Sequence, residues 1–391
     1  MNSLTPLIKK LLKSDEKWCT AMGFQNPYID PFKYHLFGSI PVYDSQAYVK
    51  YPRHNYVYDK LWVTKSQNLA SGKLENLIKN RNSAKYPIFI KPRWGHLSAT
   101  SKNCFKVKDA NELMKYKNFE HMMWSEFIDG REGMTDFLVL NGNILHQITY
   151  RYSDEQHGFT DSWKYISADT PAPPKIKNWV LRNLSNFTGV VNVQYRNDKI
   201  IEVGLRLARS GAYIIVAQNP HLLQNIYNIV DKKFWDFGSQ QHLKFDPFYA
   251  FKCVVNIPIV YLWPQYLLDK LVTADKGFYE YYFEPLGGDG TVFLQFMHSN
   301  FEEGIKLKKK LELLFTITQF LVIVSMLVIV SCLFSKNKYK YYIALGLILL
   351  YFTRFLNPHS VSYNLYKSQK QSVFGGGPNK APKDNILEDI I

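Results

Sequence analysis

The sequence predicts an α+β protein that ends in transmembrane helices, and three observations support this. Residues 190–207 alternate apolar and polar side chains with the period of a β-strand. The chain also contains other short strand-like runs, and between them are segments in which apolar residues recur every three or four positions, as in a helix. Residues 313–334 form a run of twenty-two residues without a charge. As a helix this run is about 33 Å long, enough to cross a bilayer core of about 30 Å.

Composition limits the class of protein and its compartment. The chain has 391 residues and is 46% hydrophobic, so it can form one large or two ordinary domains and is not generally disordered. Its four cysteines are widely spaced, which indicates neither a disulfide framework nor a zinc site. The N-terminal segment lacks an apolar stretch of signal-peptide length. We therefore expect residues 1–305 to face the cytosol.

The net charge of +15 is concentrated beside the long apolar run. Lysines flank that run on both sides, at positions Lys306, Lys308, Lys309, Lys310, Lys336, Lys338 and Lys340. This placement favours a lipid bilayer as the partner, and no nucleic acid is expected. Because the lysines lie on both sides, charge alone leaves the orientation of the span undecided.

A second apolar run, residues 341–356, follows the first and carries Arg354 near its end. It is about 24 Å long as a helix, so it either completes a helical hairpin across the bilayer or lies in the interface. The tail contains FGGGPNKAPKDN and is predicted to be a flexible linker. The predicted organisation is a reduced N-terminal region 1–58, a mixed domain 59–300, an amphipathic lead-in with one or two spans 301–356, and a tail 357–391.

The alternating stretch predicts a β-hairpin with one apolar and one polar face. Odd-numbered positions of both strands are apolar. The even-numbered positions, with Ile200 as the exception, are polar or small: Asn192, Gln194, Arg196, Glu202, Gly204 and Arg206. Both strands keep this pattern if the turn has an odd number of residues, which predicts the turn Asn197-Asp198-Lys199. Gln194 then lies opposite Glu202, close enough to share a cation, although a merely solvated face also fits the alternation.

Other elements are predicted around this hairpin. YPIFIKP contains a strand over 87–90 that leads to Lys91 and to a loop of small and hydroxyl residues, including Ser98. DANELMKYK is predicted to be a helix capped by Asp109. Asn141-Gly142 is predicted to close a second hairpin. Residues 219–237 have helical spacing, and from about residue 250 a strand, a helix, two strands and a further helix follow.

These motifs follow one another in a characteristic order. A lysine-bearing strand with a small-residue loop precedes EFIDGRE, and NVQ then precedes a short return strand IEV and an arginine. The order resembles the ATP-grasp superfamily, in particular carbamoyl phosphate synthetases and D-alanine ligases, over residues 58 to about 215. The resemblance implies two α+β subdomains that clamp ATP. It also implies that a substrate carboxylate is phosphorylated to an acyl phosphate, which an amine or another nucleophile attacks.

The resemblance assigns the phosphate-binding and catalytic roles by position. Lys60 and Lys91 resemble the two lysines that neutralise the phosphates of ATP, under a loop that includes Ser98. Arg206 resembles the arginine that steadies the γ-phosphate or the acyl phosphate, so Arg206 and Lys91 are the implied catalytic residues. Because the resemblance places them together on the γ-phosphate, we expect Lys91, Glu202 and Arg206 to point into one cleft.

The resemblance also assigns the nucleoside and metal sites. Backbone groups of Glu126, Phe127 and Ile128 would bind adenine, and Glu132 would hold the ribose hydroxyls. Gln194 and Glu202 resemble the ligands of Mg²⁺ or Mn²⁺. In the family, the residue at the position of Glu202 bridges two ions beside the β- and γ-phosphates.

Two departures from the family pattern bear on activity. Gly204 stands where the family has an asparagine, so the second Mg²⁺ loses a ligand and must take water instead. Only about 58 residues precede the first motif, so the acceptor pocket must differ. The loop RYSDEQHGFTDSW, with Arg151 and His157, is the candidate for binding a carboxylate or moving a proton.

Three functional interpretations follow from the sequence. We expect a membrane-anchored, Mg-ATP-dependent ligase that joins a carboxylate to an amine. The first alternative is a nucleotide-binding pseudoenzyme of the same fold that serves as a scaffold or assembly component. The second alternative is a basic, membrane-bound interaction protein without nucleotide.

Overall fold

The structure is a computed structural model. It describes residues 40–41, 44–97, 103–154, 156–157, 160–208, 219–256, 263, 265–272, 279–285, 290–334 and 339–356. The described strands are β1 (Ser71–Lys73), β2 (Ile88–Pro92), β3 (Phe105–Val107), β4 (Met122–Glu126), β5 (Glu132–Leu140), β6 (Asn143–Tyr152), β7 (Gln156–His157), β8 (Thr160–Asp161), β9 (Trp163–Ser167), β10 (Gly189–Arg196), β11 (Lys199–Gly204), β12 (Phe248–Val255), β13 (Tyr279–Pro285) and β14 (Thr291–His298). The described α-helices are α1 (Asp44–Lys50), α2 (Lys60–Lys65), α3 (Leu74–Lys79), α4 (Pro174–Asn183), α5 (Pro220–Tyr227), α6 (Gln265–Leu271), α7 (Phe301–Phe334) and α8 (Lys340–Leu356).

The described chain divides into two compact units. The first unit takes the described parts of residues 30–154 and 164–247, and the second takes those of 155–163 and 248–375. Lys60, Lys91, Glu202 and Arg206, which the sequence predicts to act together, all belong to the first unit.

The first unit contains two groups of antiparallel strands. A small sheet has the order β1-β4-β2-β3, and its core side chains pack with those of α3. A larger set of strands has the order β11-β10-β5-β6-β9. Buried side chains of β10 and β11 form a core with Trp179 and Val180 of α4 and with Val63 of α2. The described part of the first unit is thus a mixed α and β structure, as the sequence predicts.

The hairpin β10–β11 differs from its prediction at the turn. Only Asn197 and Asp198 connect the two strands, and Asn197 has a φ of 54°. The predicted three-residue turn is therefore wrong. Tyr195 pairs with Ile200 while Gln194 pairs with Glu202, so β11 has one extra residue, a β-bulge at Ile201. Two turn residues and one bulge residue again make an odd number, and the predicted pairing of Gln194 with Glu202 is confirmed.

The bulge also explains why Ile200 breaks the alternation. Its side chain is 1% exposed and belongs to the core, together with Val193 and Tyr195. Between the turn and the bulge the alternation shifts by one position, so the even-numbered Ile200 faces inward. From Glu202 onward the original alternation resumes.

Other predicted elements have counterparts in the structure. The strand predicted at 87–90 is β2, and Asn141-Gly142 closes the hairpin β5–β6 with φ values of 48° and 76°. A Cβ at Gly142 would lie 1.9 Å from the carbonyl oxygen of Ser185, so this position requires glycine. The helix predicted after Asp109 is a 3-10 helix, and the Asp109 side chain accepts hydrogen bonds from two backbone N–H groups at its start.

In the second unit, α7 packs against three antiparallel strands in the order β12-β14-β13. Leu311 and Phe315 of α7 are fully buried in this core, and the Phe315 ring stacks on Phe293 at 3.9 Å between centroids. Glu312 accepts hydrogen bonds from the backbone N–H of Val254 at 2.8 Å and from Lys308 at 2.6 Å. The first turns of α7 are therefore part of the globular core.

Among the described residues, one helix is long and apolar enough to cross a membrane. It covers Phe301–Cys332, and 11% of its most apolar 18-residue window is buried. α8 also contains an apolar stretch, Lys340–Leu349, but this stretch is shorter than the length required of a span. At about 1.5 Å per residue the whole of α8, with its 17 residues, is about 25 Å long, which is shorter than a bilayer core of about 30 Å. The described residues therefore support one candidate span and do not support the predicted second one.

A buried carboxylate connects the strands that carry the candidate site. Asp136 of β5 accepts hydrogen bonds from Asn192 at 2.7 Å, from the Tyr150 hydroxyl at 2.9 Å and from the Ala208 N–H at 3.0 Å. Burial raises the pKa of Asp136 to about 6, although these hydrogen bonds oppose the shift. The network ties the segment that carries Arg206 to the centre of the sheet.

We expect Asp136→Ala to lower the free energy of unfolding by about 3 kcal/mol or more, because three donors lose their acceptor in a buried site. Asp154→Ala is the matched control; Asp154 pairs with Arg131 at the surface, so we expect a loss below about 1 kcal/mol. The measurement is chemical denaturation of the full chain in detergent. Equal losses in the two variants would contradict the network.

The same experiment has a pH dependence with a defined sign. The pKa of Asp136 is higher in the folded chain than the ordinary value of 3.8, so between pH 4 and 6 the folded state binds more protons than the unfolded state. The contribution of Asp136 to stability therefore falls as the pH rises through this range. The difference in unfolding free energy between the native chain and Asp136→Ala should shrink from pH 4 to pH 6.

Candidate functional site

Three charged side chains of the first unit converge between its two groups of strands. Lys91 lies on β2, Glu202 on β11, and Lys60 at the first position of α2. Lys60 Nζ lies 3.3 Å from Glu202 Oε1. Lys91 Nζ donates a hydrogen bond of 2.7 Å to the carbonyl oxygen of Ile201. The site thus brings two ammonium groups beside one carboxylate.

The bulge in β11 supplies the acceptor for Lys91. A bulged residue is left out of the regular ladder, so its carbonyl oxygen is available for another partner. Lys91 and Lys60 are only 6% and 5% exposed, and a buried ammonium group needs such acceptors to be tolerated. The irregularity in β11 therefore fixes the position of the Lys91 side chain.

Asp59 holds the start of α2 against the small sheet. Its side chain caps the helix by accepting from the Leu61 N–H at 3.0 Å. It also accepts two hydrogen bonds from Arg93, at 2.9 and 2.6 Å, and the Lys60 N–H donates to the Arg93 carbonyl oxygen at 2.9 Å. These contacts place Lys60 close to the end of β2, which carries Lys91.

Two ammonium groups, of Lys60 and Lys91, and the carboxylate of Glu202 lie at the centre of the site. Burial, and then the neighbouring Lys60 ammonium, lower the pKa of Lys91 to about 8, while Glu202 partly offsets both effects. Two buried ammonium groups beside one carboxylate are a set of side chains that could bind an anion.

Gly95 allows the backbone to approach these groups closely. It begins a short 3-10 helix, Gly95–Leu97, and a Cβ at this position would lie 3.4 Å from Glu202 Oε1 and 3.6 Å from Lys60 Cε. A larger side chain here would fill the space beside the lysines. Ser98, predicted to cover the phosphates, lies outside the described residues together with Thr100 and Ser101.

Gln194 lies in a second group of polar side chains on the same hairpin. Its Nε2 donates to Glu132 Oε1 at 2.5 Å, and Arg196 Nη2 lies 3.2 Å from Glu132 Oε2. The contact with Glu132 fixes the orientation of the Gln194 amide, whose oxygen remains a potential metal ligand. The predicted ribose residue and the predicted metal ligand are thus neighbours.

Two backbone N–H groups of the predicted adenine-binding segment donate hydrogen bonds within the protein. The N–H groups of Glu126 and Phe127 donate to the carbonyl oxygens of Ala70 at 2.8 Å and Pro87 at 3.3 Å. These two donors are therefore already engaged. The Glu126 side chain pairs with Lys199 at 3.0 Å, near the surface.

Arg206 is held by a residue that sequence reasoning missed. Asp44 of α1 accepts from Arg206 Nη2 at 2.7 Å, and Arg206 Nη1 donates to the Leu207 carbonyl oxygen at 3.0 Å. The structure therefore places Arg206 beside Asp44. Asp44 lies 162 positions before Arg206, and no motif in the sequence marks it.

The donor set fits a hard cation that shares its ligands with phosphate and water. No group of three or more His, Cys, Asp or Glu side chains in the described part of the chain forms a complete metal site. Glu202 and the amide oxygen of Gln194 are oxygen donors of the kind that Mg²⁺ prefers. Mg²⁺ usually keeps several waters and takes only one or two protein carboxylates in phosphate sites, so two donors suffice.

Comparisons with known proteins give matches among solved structures. No protein-family model matches the chain, and no curated protein matches it. The chain is similar to an L-amino acid ligase from Bacillus licheniformis, with 14% identity over 67% of this chain and 71% of that chain, at a TM-score of 0.46. It is similar to a phosphoribosylamine–glycine ligase from Thermotoga maritima, with 12% identity over 66% and 75% of the two chains, at a TM-score of 0.47. It is also similar to a carboxyaminoimidazole ribonucleotide synthase from Aspergillus clavatus, solved with ATP, with 10% identity over 70% and 75%, at a TM-score of 0.47.

The charge arrangement predicts opposite shifts of the Lys91 pKa in two variants. Lys60→Met removes a neighbouring positive charge and should raise the pKa of Lys91 above 8, whereas Glu202→Gln removes a negative charge and should lower it. The measurement is a pH titration of ¹³C-labelled lysine side chains by NMR, with Lys91→Met to assign the signal. Glu126→Gln, at a surface ion pair, is the control and should leave the titration unchanged. Shifts of the same sign in the two variants would contradict the arrangement.

Proposed function

We propose that the chain is a membrane-anchored, ATP-dependent ligase of the ATP-grasp type. It activates a carboxylate as an acyl phosphate, which an amine or another nucleophile then attacks. The observation that supports this proposal is the convergence of Lys60, Lys91 and Glu202 between two groups of strands. Two buried ammonium groups provide the charge that a polyphosphate needs, and the carboxylate beside them provides a ligand for its cation.

ATP binding would rearrange the pair formed by Lys60 and Glu202. In the free chain the two side chains compensate each other at 3.3 Å. We propose that the phosphates take over Lys60 and that Glu202 then binds the cation. Lys91 keeps its place through Ile201 and binds the phosphates from the other side.

The nucleoside would be bound by the segment after β4. Since the N–H groups of Glu126 and Phe127 are engaged, we propose that the adenine ring takes its hydrogen bond from the Ile128 N–H. Glu132 is proposed to hold the ribose hydroxyls. Because Glu132 also binds Gln194 at 2.5 Å, the ribose and metal sites would share one hydrogen-bonded network.

The proposed reaction has two steps. In the first, an oxygen of the substrate carboxylate attacks the γ-phosphorus, the bond to the β-phosphate oxygen breaks, and ADP leaves. Lys60 and Lys91 neutralise the charge that develops on the phosphate oxygens. In the second, the amine nitrogen attacks the acyl carbon, inorganic phosphate leaves, and the nitrogen gives up a proton to solvent. Arg206 steadies the acyl phosphate between the steps, and Mg²⁺, held by Glu202 and Gln194, would supply further charge neutralisation.

A second candidate function is a nucleotide-binding pseudoenzyme. Gly204 favours it, because glycine cannot supply the side-chain oxygen that the resemblance implies at this position. In this alternative the same lysines bind ATP, but no phosphoryl transfer follows. A third candidate, the interaction protein without nucleotide, has the basic lead-in of α7 as its support.

The first test is nucleotide binding by the full chain. We expect Lys91→Ala to weaken Mg-ATP binding by at least about tenfold, since a hydrogen bond to a charged group contributes about 1.5–3 kcal/mol. Lys175→Ala is the control, because Lys175 pairs with Asp198 at the surface. Unchanged affinity in Lys91→Ala would remove Lys91 from the site. ADP release with a panel of carboxylic acids and amines then separates the ligase from the pseudoenzyme, which would bind ATP and release no ADP.

For the membrane, we propose that α7 is the anchor and that residues 1–305 face the cytosol. The side chains of Phe320, Leu321 and Leu327 are more than half exposed, which is unusual for such large apolar groups in water. α8 lies against α7 in the second unit and is proposed as the returning arm of a hairpin. Residues 357–391 would then return to the cytosolic side.

We expect the full chain to float with lipid vesicles, and we expect Leu321→Lys/Val328→Lys to release it, since a lysine at a span centre costs about 2.5–3.5 kcal/mol. Val49→Lys, at another exposed apolar position, is the matched control and should leave flotation unchanged. A native chain that stays in the aqueous fraction would rule out the anchor. Protease added to the cytosolic face should cleave both the first unit and the Gly375–Gly377 linker if the hairpin forms; a protected tail would indicate a single span.

A further inference from the structure

We propose that Asp44 is a metal ligand that replaces the asparagine missing at position 204. Its carboxylate oxygen would complete the site of a second divalent cation beside Glu202. This inference rests on the proposed function, because it concerns cations that accompany a bound nucleotide. It removes the observation that favours the pseudoenzyme.

The distance between Asp44 and Gly204 supports this replacement. A Cβ built on Gly204 would lie 2.7 Å from Asp44 Oδ1. In an asparagine, the side-chain oxygen lies about 2.4 Å from its own Cβ, as bonds of about 1.52 and 1.23 Å at a trigonal carbon require. The Asp44 oxygen is therefore at nearly the distance from position 204 that an asparagine oxygen would have.

The Asp44 oxygen nearest Gly204 lacks a donor. Asp44 Oδ1 is buried and accepts no hydrogen bond from any residue in the described part of the chain, whereas Oδ2 accepts from Arg206 at 2.7 Å. A buried carboxylate oxygen without a partner is costly, and native proteins rarely keep one without a reason. A cation that arrives with the nucleotide would satisfy it.

Glu202 and Gly204 lie on the same face of β11. Residues two apart on a strand share a face, and no further bulge interrupts the pairing of this end of β11 with β10. The Asp44 oxygen therefore lies on the face that carries the Glu202 carboxylate. A cation that contacts both would lie on the phosphate side of the hairpin, in the manner of the second ion of a two-metal site.

Neighbouring contacts hold Asp44 in this position. Asp44 begins α1, and Tyr48 of the same helix stacks on His96 at 3.9 Å between ring centroids. The Tyr58 hydroxyl accepts from the Leu205 N–H at 2.9 Å, which fixes the chain just after Gly204. With Arg206 on Oδ2, both the helix and the strand are fixed, and Oδ1 remains directed at position 204.

The short distance between Asp44 and Gly204 means that a substitution at position 204 affects the side chain at position 44. An asparagine at position 204 would bring its Cβ to 2.7 Å from Asp44 Oδ1, closer than such contacts allow. A side chain at residue 204 therefore displaces the Asp44 oxygen from its present position. This proximity permits a rescue experiment in which the oxygen is moved from residue 44 to residue 204.

The experiment counts Mn²⁺ ions bound to the full chain in the presence of a non-hydrolysable ATP analogue, by electron paramagnetic resonance. We expect two ions on the native chain. In Asp44→Asn the affinity for the second ion should fall by at least about tenfold. Removing a residue that only hydrogen-bonds to a metal ligand already costs about 10- to 100-fold in metal affinity, so the loss of a direct ligand should cost at least as much. The ligand is lost because Arg206 can donate only to the amide oxygen, so the Asn side chain presents its NH₂ group toward position 204. Asp198→Asn, at a surface ion pair with Lys175, is the control and should keep both ions.

The double variant Asp44→Ala/Gly204→Asn provides the rescue. It moves the oxygen from residue 44 to residue 204, so we expect the second ion to return, whereas Asp44→Ala alone should lose it. Two ions of native affinity on Asp44→Asn would overturn the proposal, and so would a double variant that stays at one ion. Asp44→Asn has the shape of the native side chain and keeps the bond to Arg206, so it decides the matter even if the alanine variants fold poorly.

The outcome also separates this proposal from the proposed function. A native chain that binds no Mn²⁺ with the nucleotide analogue would overturn both. A different outcome is that Glu202→Gln loses bound ions while Asp44→Asn keeps two. That result would retain the proposed nucleotide site and overturn only the role of Asp44.

Discussion

The β-bulge at Ile201 is the constraint on which the candidate site depends. It restores the pairing of Gln194 with Glu202 after a two-residue turn, and it turns Ile200 into the core. It also leaves the Ile201 carbonyl oxygen to accept from Lys91 at 2.7 Å, so a lysine of the small sheet is joined to the hairpin. One extra residue in β11 thus sets the register of the core and the position of a buried charge.

That buried charge is the basis of the proposed phosphate site. Two ammonium groups face one carboxylate, and burial together with Lys60 lowers the pKa of Lys91 to about 8. Proteins often place buried charges of one sign close together where a ligand of the opposite charge binds. Asp44 Oδ1 accepts no hydrogen bond from the described residues, although Oδ2 of the same carboxylate accepts one from Arg206. A polyphosphate with its cations would satisfy both the ammonium groups and Asp44 Oδ1.

The burial pattern along α7 connects the fold to the membrane proposal. The helix begins on the strands of the second unit, where Leu311 and Phe315 are buried, and its later apolar side chains are exposed. The first turn of the uncharged run therefore completes a core, and the exposed remainder is the part proposed as the membrane anchor. The sequence shows the length of the uncharged run, but only the packing shows at which residue the exposed part of the helix begins.

The sequence by itself determined the elements whose signal is local. Alternation placed the hairpin and the pairing of Gln194 with Glu202, Asn141-Gly142 marked a tight turn, and the uncharged run marked α7. Tertiary structure decided what depends on residues far apart in the chain. The bulge at Ile201 leaves one local signal, the apolar Ile200 at an even position, but two turn residues and one bulge residue imitate a three-residue turn. Asp44 reaches Gly204 and Arg206 across about 160 positions, and a contact made by folding cannot be read from spacing.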